Sequence, residues 1–532
     1  MEVSGNRDAY NVHKLLWLHY DKVSGSDSDG NLVRTKHKCR AVFPGNKLDA
    51  KMLDFKMFCA STPSHNLLAM SIGLSPGHEN PDDPITKMTG DVPCAYSLGT
   101  LPGPPIFVTL PDVLAGLYPD GTSKIWHAIA GIYGHPKAGP AFETVLADTL
   151  TSKLGMTRSH KDRSFYIGSD RLNLKNTRIS FLTDDGILIA TRSQCATITS
   201  ALNGYFGDMG WKVIDGEWYA GARLHSSCPN HVTCYARIDS SSMINTLYSV
   251  AGKYGFDMRN ISNVAKTTPS KPGRKVEVAD RDTKGDPKKV LRHQVVTGHL
   301  QWVRTFRWDI SYAACIAGSL TINATDEIFK NILMWAARYL KSTSSLSSCF
   351  HDVGDKDRDQ FIAYSDSSPA SWPATKTDRR RSHTGWLILM NGAVVAAGSY
   401  KCPQLIPHSS TGEGEFSAYH DCVETLKWLR DARDEWCLPL SGPTTVFTDS
   451  TVVMDNLVAQ KVSNKSKHWE VKLWRLIAWQ SMGIFIGKHV GTKDMKADFL
   501  TKPVNADTFA SNTAGLLCNA PGDLDSDKAT SF

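Results

Sequence analysis

Residues 181–186 read FLTDDG, and the apolar run ILIAT follows at once. Two strand-like runs therefore flank adjacent aspartates, Asp184 and Asp185, and a glycine. One reading is purely local: Asp tolerates unusual dihedrals and Gly supplies positive φ, so Asp-Asp-Gly closes a hairpin. The other is chemical: two carboxylates at a hairpin tip offer hard oxygen ligands to a divalent metal that keeps room for phosphate oxygens. Partners elsewhere in the chain decide between them.

The chain has 532 residues, which predicts several domains. Its composition, 41% hydrophobic and 21% charged, is that of a globular protein, and a net charge of +7 permits a polyanionic partner without demanding one. Twelve cysteines are scattered with no CxxC pair and no Cys/His ligand spacing. That predicts no structural zinc site, no disulfide framework and a reducing, intracellular compartment. The start MEVSGNRDAY lacks an apolar core, and no run of about 18 apolar residues occurs, so neither a secreted nor a membrane-spanning product is expected.

No internal repeat is visible. A seam at 266–293, rich in Pro, Gly and charge, reads as an exposed basic connection able to meet a nucleic-acid backbone. A Ser-rich and then charged stretch at 341–359 reads as an interdomain linker, and the polar tail as disordered. Between the seams, PAFETVLADTLTSKLG (140–155) places Phe142, Val145, Leu146, Leu150 and Leu154 on one helical face and stops at Gly155. Further on, Asn391-Gly392 separates two apolar runs as a hairpin turn does. Phe416, Tyr419, Val423, Leu426 and Leu429 then recur at helical spacing before the short strand TTVFTDS. The C-terminal block is thus strand, hairpin, helix, strand, helix: a small mixed α/β domain.

Upstream of the paired acids, TGDVPCAYSLGTL (89–101) carries Asp91 and, five residues on, Tyr96. Lys38 and Arg40 in RTKHKCRAV are two apart and share one side of an extended strand. The segment IWHAIAGIYGHPKAGPAF holds a Tyr133-Gly134 turn and Lys137. Three carboxylates, two cations and an aromatic in this order suit nucleotidyl transfer.

These segments together resemble the reverse transcriptase and ribonuclease H portion of a copia-type LTR retrotransposon polyprotein. KHKCRAV is similar to the family's KARLV, GDVPCAYSLGTL to DVKTAFLNGEL, IYGHPKAGPAF to LYGLKQAPRAW and FLTDD to YVDD. RWDIS (307–311) and AARYLKST (336–343) continue the series, like RPDIA and LRYLKGT. The resemblance covers roughly 12–505. It implies an α/β (α+β) architecture: a right-hand polymerase fingers-palm domain over 12–265, a thumb or connection-like region over 266–345, a linker over 346–360, a ribonuclease H-like domain over 361–505 and a tail over 506–532. Asp91, Asp184 and Asp185 would hold two Mg2+ ions, with Mn2+ as a substitute, Lys38 and Arg40 would neutralise the incoming dNTP, and Tyr96 would be the steric gate against ribonucleotides. Lys137 stands where glutamine is usual in the segment lining the nucleotide pocket, and Leu182-Thr183 replaces Tyr-Val.

A second set of acids follows in the order of the family's ribonuclease H motifs: Asp366 in FIAYSD, Glu415 in GEFSAY, Asp449 in TVFTDS and Asp498 in KADFLTKP. Carboxylates at strand ends and a helix start can converge on one sheet edge and hold a second Mg2+ pair. Glu413 is a rival for the helix acid; Glu415 is preferred because an aromatic, Phe416, follows it as Tyr does in the family's EAEY. His489 could assist product release, His468 reads as structural, Arg379 to Arg381 as a solvated turn, and Trp302, Trp308, Trp428 and Trp474 as core fillers.

The resemblance implies an RNA-directed DNA polymerase with ribonuclease H activity, whose partners are an RNA template, a DNA primer, dNTPs and an RNA–DNA hybrid, with possible association with retroelement capsid and integrase proteins in a cytoplasmic particle or the nucleus. No gag-like, aspartic protease, integrase or zinc-knuckle motif is found, so the chain is expected to be a fragment, a processed product or a truncated copy. The rival reading is a catalytically decayed or repurposed nucleic-acid-binding remnant.

Overall fold

The computed structural model describes residues 2–3, 12–26, 32–44, 64–74, 82–103, 105–110, 123–169, 177–228, 233–254, 266–273, 285–322, 324–372, 381–402, 410–460 and 469–519. They form two compact units. One comprises Met1–Ser64 and Glu79–Val213, the other His65–His78 and Ile214–Leu524.

In the first unit β1 (Leu16–Ser26) and β2 (Leu32–Val42) pair antiparallel, with Lys38 opposite Tyr20 and Arg40 opposite Leu18. The strands β3 (Ile85–Asp91), β4 (Thr157–Arg158), β5 (Phe165–Ile167), β6 (Arg178–Leu182), β7 (Asp185–Thr191) and β8 (Lys212–Val213) make an antiparallel sheet in the order β8-β3-β7-β6-β5-β4. Helices α1 (Ala95–Leu98), α2 (Ala138–Asp148) and α3 (Arg192–Phe206) accompany it. The expected apolar stripe is real: Phe142, Leu146, Leu150 and Leu154 pack with Ile198, Leu202 and Phe206 of α3 against Ile179, Phe181 and Leu188 of the sheet. Gly155 takes φ +62 and ends the helical run. Thr191 and Gln194 start α3 with reciprocal capping bonds.

The second unit begins with β9 (Glu217–Tyr219), β10 (Ala222–His225), β11 (Cys234–Asp239) and β12 (Leu346–His351). It continues with β13 (Phe361–Trp372), β14 (Arg381–Met390), β15 (Ala393–Lys401), helix α4 (Thr411–Glu435), β16 (Thr444–Thr448), β17 (Phe485–His489), helix α5 (Ala506–Thr513) and β18 (Cys518–Asn519). One antiparallel sheet runs β9-β10-β11-β12-β18 and the other β15-β14-β13-β16-β17. In the latter, β13 to β15 are antiparallel while β16 pairs parallel to both β13 and β17. Asn391 and Gly392 hold φ +51 and +83 between paired Met390 and Ala393, the two left-handed residues that a tight hairpin requires. Phe416, Tyr419, Val423, Leu426 and Leu429 are all buried beneath α4, as their spacing predicts.

Three boundaries differ from the sequence expectation. The first compact unit ends at Val213, not near 265. The Ser-rich stretch expected as a linker contains β12, whose Ser347, Ser348, Cys349 and Phe350 are buried because the backbone is bonded to β11; small side chains fit beneath a sheet even where composition imitates a linker. The expected disordered tail contains α5, capped by Asn505 and anchored by Phe509 against Tyr339 and Phe499, and then β18; residues 520–532 lie outside the described residues. The basic seam is also partly ordered. Thr268 is buried and accepts from Trp335 Nε1, and a helix capped by Asp286 starts at Pro287.

RWDIS and AARYLKST meet in a buried network. The Arg307 guanidinium is doubly hydrogen-bonded to Asp309 at 3.0 and 2.8 Å and donates to the Thr343 carbonyl and hydroxyl, while the Tyr339 hydroxyl donates to Asp309 at 2.6 Å.

Candidate active sites

Leu182 pairs with Asp185, so the loop residues of the FLTDDG hairpin are Thr183 and Asp184. The left-handed residue is Thr183, at φ +60, rather than Gly186. A β-branched residue there costs on the order of 1–3 kcal/mol and persists only where its surroundings impose it. Gly186 serves another purpose: an added Cβ would lie 2.8 Å from the Phe181 ring. Its register partner Gly90 is covered in the same way by Trp211, at 2.7 Å. Two glycines under aromatic rings thus lie directly behind the acids.

Asp91 and Asp185 are opposite one another on β3 and β7. The Asp91 N–H donates to the Met209 carbonyl at 2.9 Å, away from β7, so the two form a non-hydrogen-bonded pair, whose Cα atoms approach to about 4.5 Å. The Val92 N–H then donates to the Asp184 carbonyl at 2.9 Å and ties the turn to the same strand end. Desolvation by the surrounding protein, and then the charges of Asp184 and Asp91, push the Asp185 carboxyl up to about 7. Asp185 keeps a solvent-exposed edge, as does Asp91. The cluster is crowded with negative charge yet open to a ligand.

Tyr96, on α1, stands at the same turn. Burial and then Asp184 raise its phenol, against hydrogen bonding from Thr183 and the charge of Arg40. Its ring meets Tyr133 edge-on at 4.9 Å, and the Arg40 guanidinium lies 4.4 Å above the Tyr133 ring. Arg40 and Tyr96 are therefore brought to the acids through Tyr133, whose part the sequence did not reveal beyond its Tyr-Gly turn. That turn is exacting: Gly134 has φ +83, and an added Cβ would lie 2.4 Å from the Phe43 carbonyl oxygen. Lys137 is held elsewhere, with Nζ donating to the Pro102 carbonyl at 3.3 Å. Lys38 has its backbone in β2, and its side chain lies outside the described residues.

In the second unit, parallel pairing of β13 and β16 brings Asp366, in β13, and Asp449, just after β16, to neighbouring positions at one end of the sheet. Glu415 enters from the start of α4, and carboxylate oxygens of these three residues all lie within 4.8 Å of one another. Glu413 is not in this group, and its backbone N–H donates to the Ser410 hydroxyl at the helix cap. Opposite Asp366 is Gly385, where an added Cβ would lie 2.5 Å from Thr501. That clearance lets the Thr501 hydroxyl donate to Asp366, while Lys502 Nζ donates to Asp498 at 2.8 Å. Asp498 thus reaches the edge of the cluster in company with a lysine and a threonine from its own KADFLTKP segment, both missed as site residues although the motif contains them.

Burial, followed by the charges of Asp366 and Asp449, pushes the Glu415 carboxyl up to about 9. Burial also raises Asp366, partly offset by Lys502. Glu415 Oε2 is buried with no hydrogen-bond partner. An orphaned carboxylate oxygen among like charges fits a divalent cation, which would reverse the unfavourable electrostatics.

His489 pairs with Thr448 and donates from Nε2 to the Asp449 carbonyl at 3.2 Å, and Thr492 donates to Asp449 Oδ2 at 3.0 Å. Arg381 is a buried strand residue that donates to the Cys402 carbonyl, not part of a solvated turn. Arg379, Arg380 and His468 lie outside the described residues. Trp308 fills a core, whereas Trp474 is 49% exposed and is no core residue.

No protein-family model matches the chain. It is 27% identical over 249 residues to the retrovirus-related Pol polyprotein from transposon RE1 of Arabidopsis thaliana, and 28% identical over 217 residues to that from transposon RE2. These alignments cover 46% and 40% of the chain, and only 16% and 14% of the polyproteins. Among solved structures, it is similar to a foamy viral protease-reverse transcriptase in complex with double-stranded DNA (TM-score 0.46, 12% identity, 86% of this chain and 63% of that one). It is also similar to LC11 ribonuclease H1 in complex with an RNA/DNA hybrid (TM-score 0.21, 15% identity, 27% of this chain and 96% of that one). No helix among the described residues is long and apolar enough to cross a membrane. By sequence the chain is thus similar to a part of the retrotransposon Pol polyproteins, and spans well under a fifth of their length.

Proposed function

We propose that the chain is an RNA-directed DNA polymerase joined to a ribonuclease H, acting on an RNA template, a DNA primer, dNTPs and the resulting hybrid. The observation that carries this reading is the convergence of Asp366, Glu415 and Asp449 on one sheet edge with an orphaned Glu415 oxygen, beside an independent acid cluster at Asp91, Asp184 and Asp185. Asp91, Asp184 and Asp185 would hold divalent metal in the first unit, and Asp366, Glu415, Asp449 and Asp498 in the second. Magnesium, when bound, supplies Lewis acidity toward phosphate and activates a hydroxyl or water.

The chain's own residues do the remaining work. Arg40, stacked on Tyr133, would offer charge to a triphosphate, and Lys38 is proposed for the same role from its motif alone. Tyr96, held edge-on by Tyr133 beside the turn, would face the sugar's 2′ edge. The Lys502 ammonium, whose pKa is raised because Asp366 and Asp498 outweigh its burial, tempers the repulsion among the nuclease acids. Selectivity for the RNA strand would come from groove shape and 2′-hydroxyls rather than from base reading.

The test is magnesium-dependent extension of a DNA primer on a 5′-labelled RNA template, so that one reaction reports both synthesis and cleavage. Asp184→Asn should abolish extension alone and Asp449→Asn cleavage alone. Tight hybrid binding with neither activity, in a folded sample, would establish the non-catalytic alternative, which the capture of Lys137 by the Pro102 carbonyl favours.

A further inference from the structure

The sheet β9-β10-β11-β12-β18 carries a cluster of soft donors on one face. Cys349 and His351 are two residues apart on β12 and so point to the same side. Cys234 on β11 is the register partner of His351, next to a bulge that re-aims the strand, and Cys518 on β18 is the partner of Ser347, two residues before Cys349. One donor atom each from Cys349, His351 and Cys518 lie within 4.8 Å of one another, with His351 Nε2 3.2 Å from Cys518 Sγ. Cys234 stands next to this trio, its thiol donating to the Ala236 carbonyl at 3.3 Å, and Cys234, Cys349 and Cys518 are 6%, 1% and 7% exposed within one buried cluster. His351 is half-buried and leaves a path to solvent.

The histidine is also oriented. Its Nδ1 is 3.1 Å from the Thr233 hydroxyl, so Nε2 is the nitrogen turned toward the sulfurs. A polar partner on the far ring nitrogen is the arrangement by which metal-binding histidines are fixed in tautomer and angle.

We infer that Cys234, Cys349, Cys518 and His351 form a Cys3His site for a soft divalent cation, zinc being the ion whose tetrahedral sulfur and nitrogen preferences match. Binding would release the thiol protons and join three strands at one point. Its consequence is structural: β18 is two residues long with two register pairs, and ligation of Cys518 would clip it to β12. The inference runs against the expectation of no structural zinc. That expectation sought short Cys spacings, whereas a sheet assembles ligands by register from segments distant in sequence.

The test uses the full chain, purified under reducing conditions from zinc-supplemented cells, with metal measured by mass spectrometry. About one zinc per chain is expected, lost in Cys518→Ser and in His351→Ala and retained in Cys437→Ser, an exposed cysteine outside the cluster. Cobalt substitution should give tetrahedral d–d bands with thiolate charge transfer. Thr233→Val, an exposed position, should keep the fold and weaken zinc affinity roughly tenfold or more. A zinc-free wild type, a zinc content unchanged by the ligand variants, or an intact mass two hydrogens lighter in the absence of reductant, meaning a disulfide at the cluster, would each overturn the site.

Discussion

Asp91 and Asp185 face one another across β3 and β7 without a mutual hydrogen bond, so their carboxylates are closer than those of a bonded pair would be. Because the Asp185 carboxyl is pushed up to about 7, the native state binds more protons than the unfolded chain above the ordinary carboxylate range. Stability from this group is therefore lost as pH rises toward about 7, the reverse of a salt-bridged acid. Without divalent metal the melting temperature should fall between about pH 5 and about pH 8, with a shallower slope in Asp185→Asn and in wild type with Mg2+. Scanning calorimetry with EDTA or Mg2+ checks this; identical slopes in wild type and variant would refute it.

Glu415 should show the same sign more strongly, since its carboxyl is buried and raised to about 9. In EDTA near pH 8, Glu415→Gln is expected to stabilise the second unit by on the order of 2 kcal/mol, because an amide need not be kept neutral at the expense of folding. The same change should lower RNA cleavage by at least roughly a hundredfold and leave primer extension intact. Urea unfolding beside the two activity assays separates these effects.

The Arg307–Asp309 ion pair is wholly buried, so its partners are unequal to their absence. Asp309→Asn should cost about 3–5 kcal/mol by stranding the guanidinium charge, whereas the double change Arg307→Met with Asp309→Leu should recover most of that loss. A double-mutant cycle on urea midpoints reads the difference. Independent costs of the two single changes would show that the pair is not the unit of stability.

At the proposed polymerase site, Tyr96→Val removes the ring that Tyr133 holds in place. The ratio of ribonucleotide to deoxynucleotide incorporation should rise about tenfold or more in single-nucleotide extension, with deoxynucleotide use little changed. An unaltered ratio would mean that Tyr96 supports the Thr183 turn and does not face the sugar.

What the sequence determined by itself was local or one-dimensional. The 140–155 helix, the Asn391-Gly392 hairpin and the face of α4 followed from periodicity and turn chemistry, because a side chain's face and a residue's φ preference are properties of a few neighbours. The ordered motifs nominated seven acids as candidates, with Glu415 ahead of Glu413, and of these Asp366, Glu415 and Asp449 meet at one sheet end. Which atoms meet was decided only by tertiary structure. Thr183 rather than a glycine takes the strained turn, Tyr133 carries Arg40 and Tyr96 to the acids, and Lys502 and Thr501 join the acids of the second unit because Gly385 makes room. A buried strand hid in a linker-like serine run, and the three cysteines and one histidine of the inferred metal site follow no short spacing in the sequence. In both cases strand register, a contact between segments remote in sequence, set the outcome, and composition windows carry no information about it.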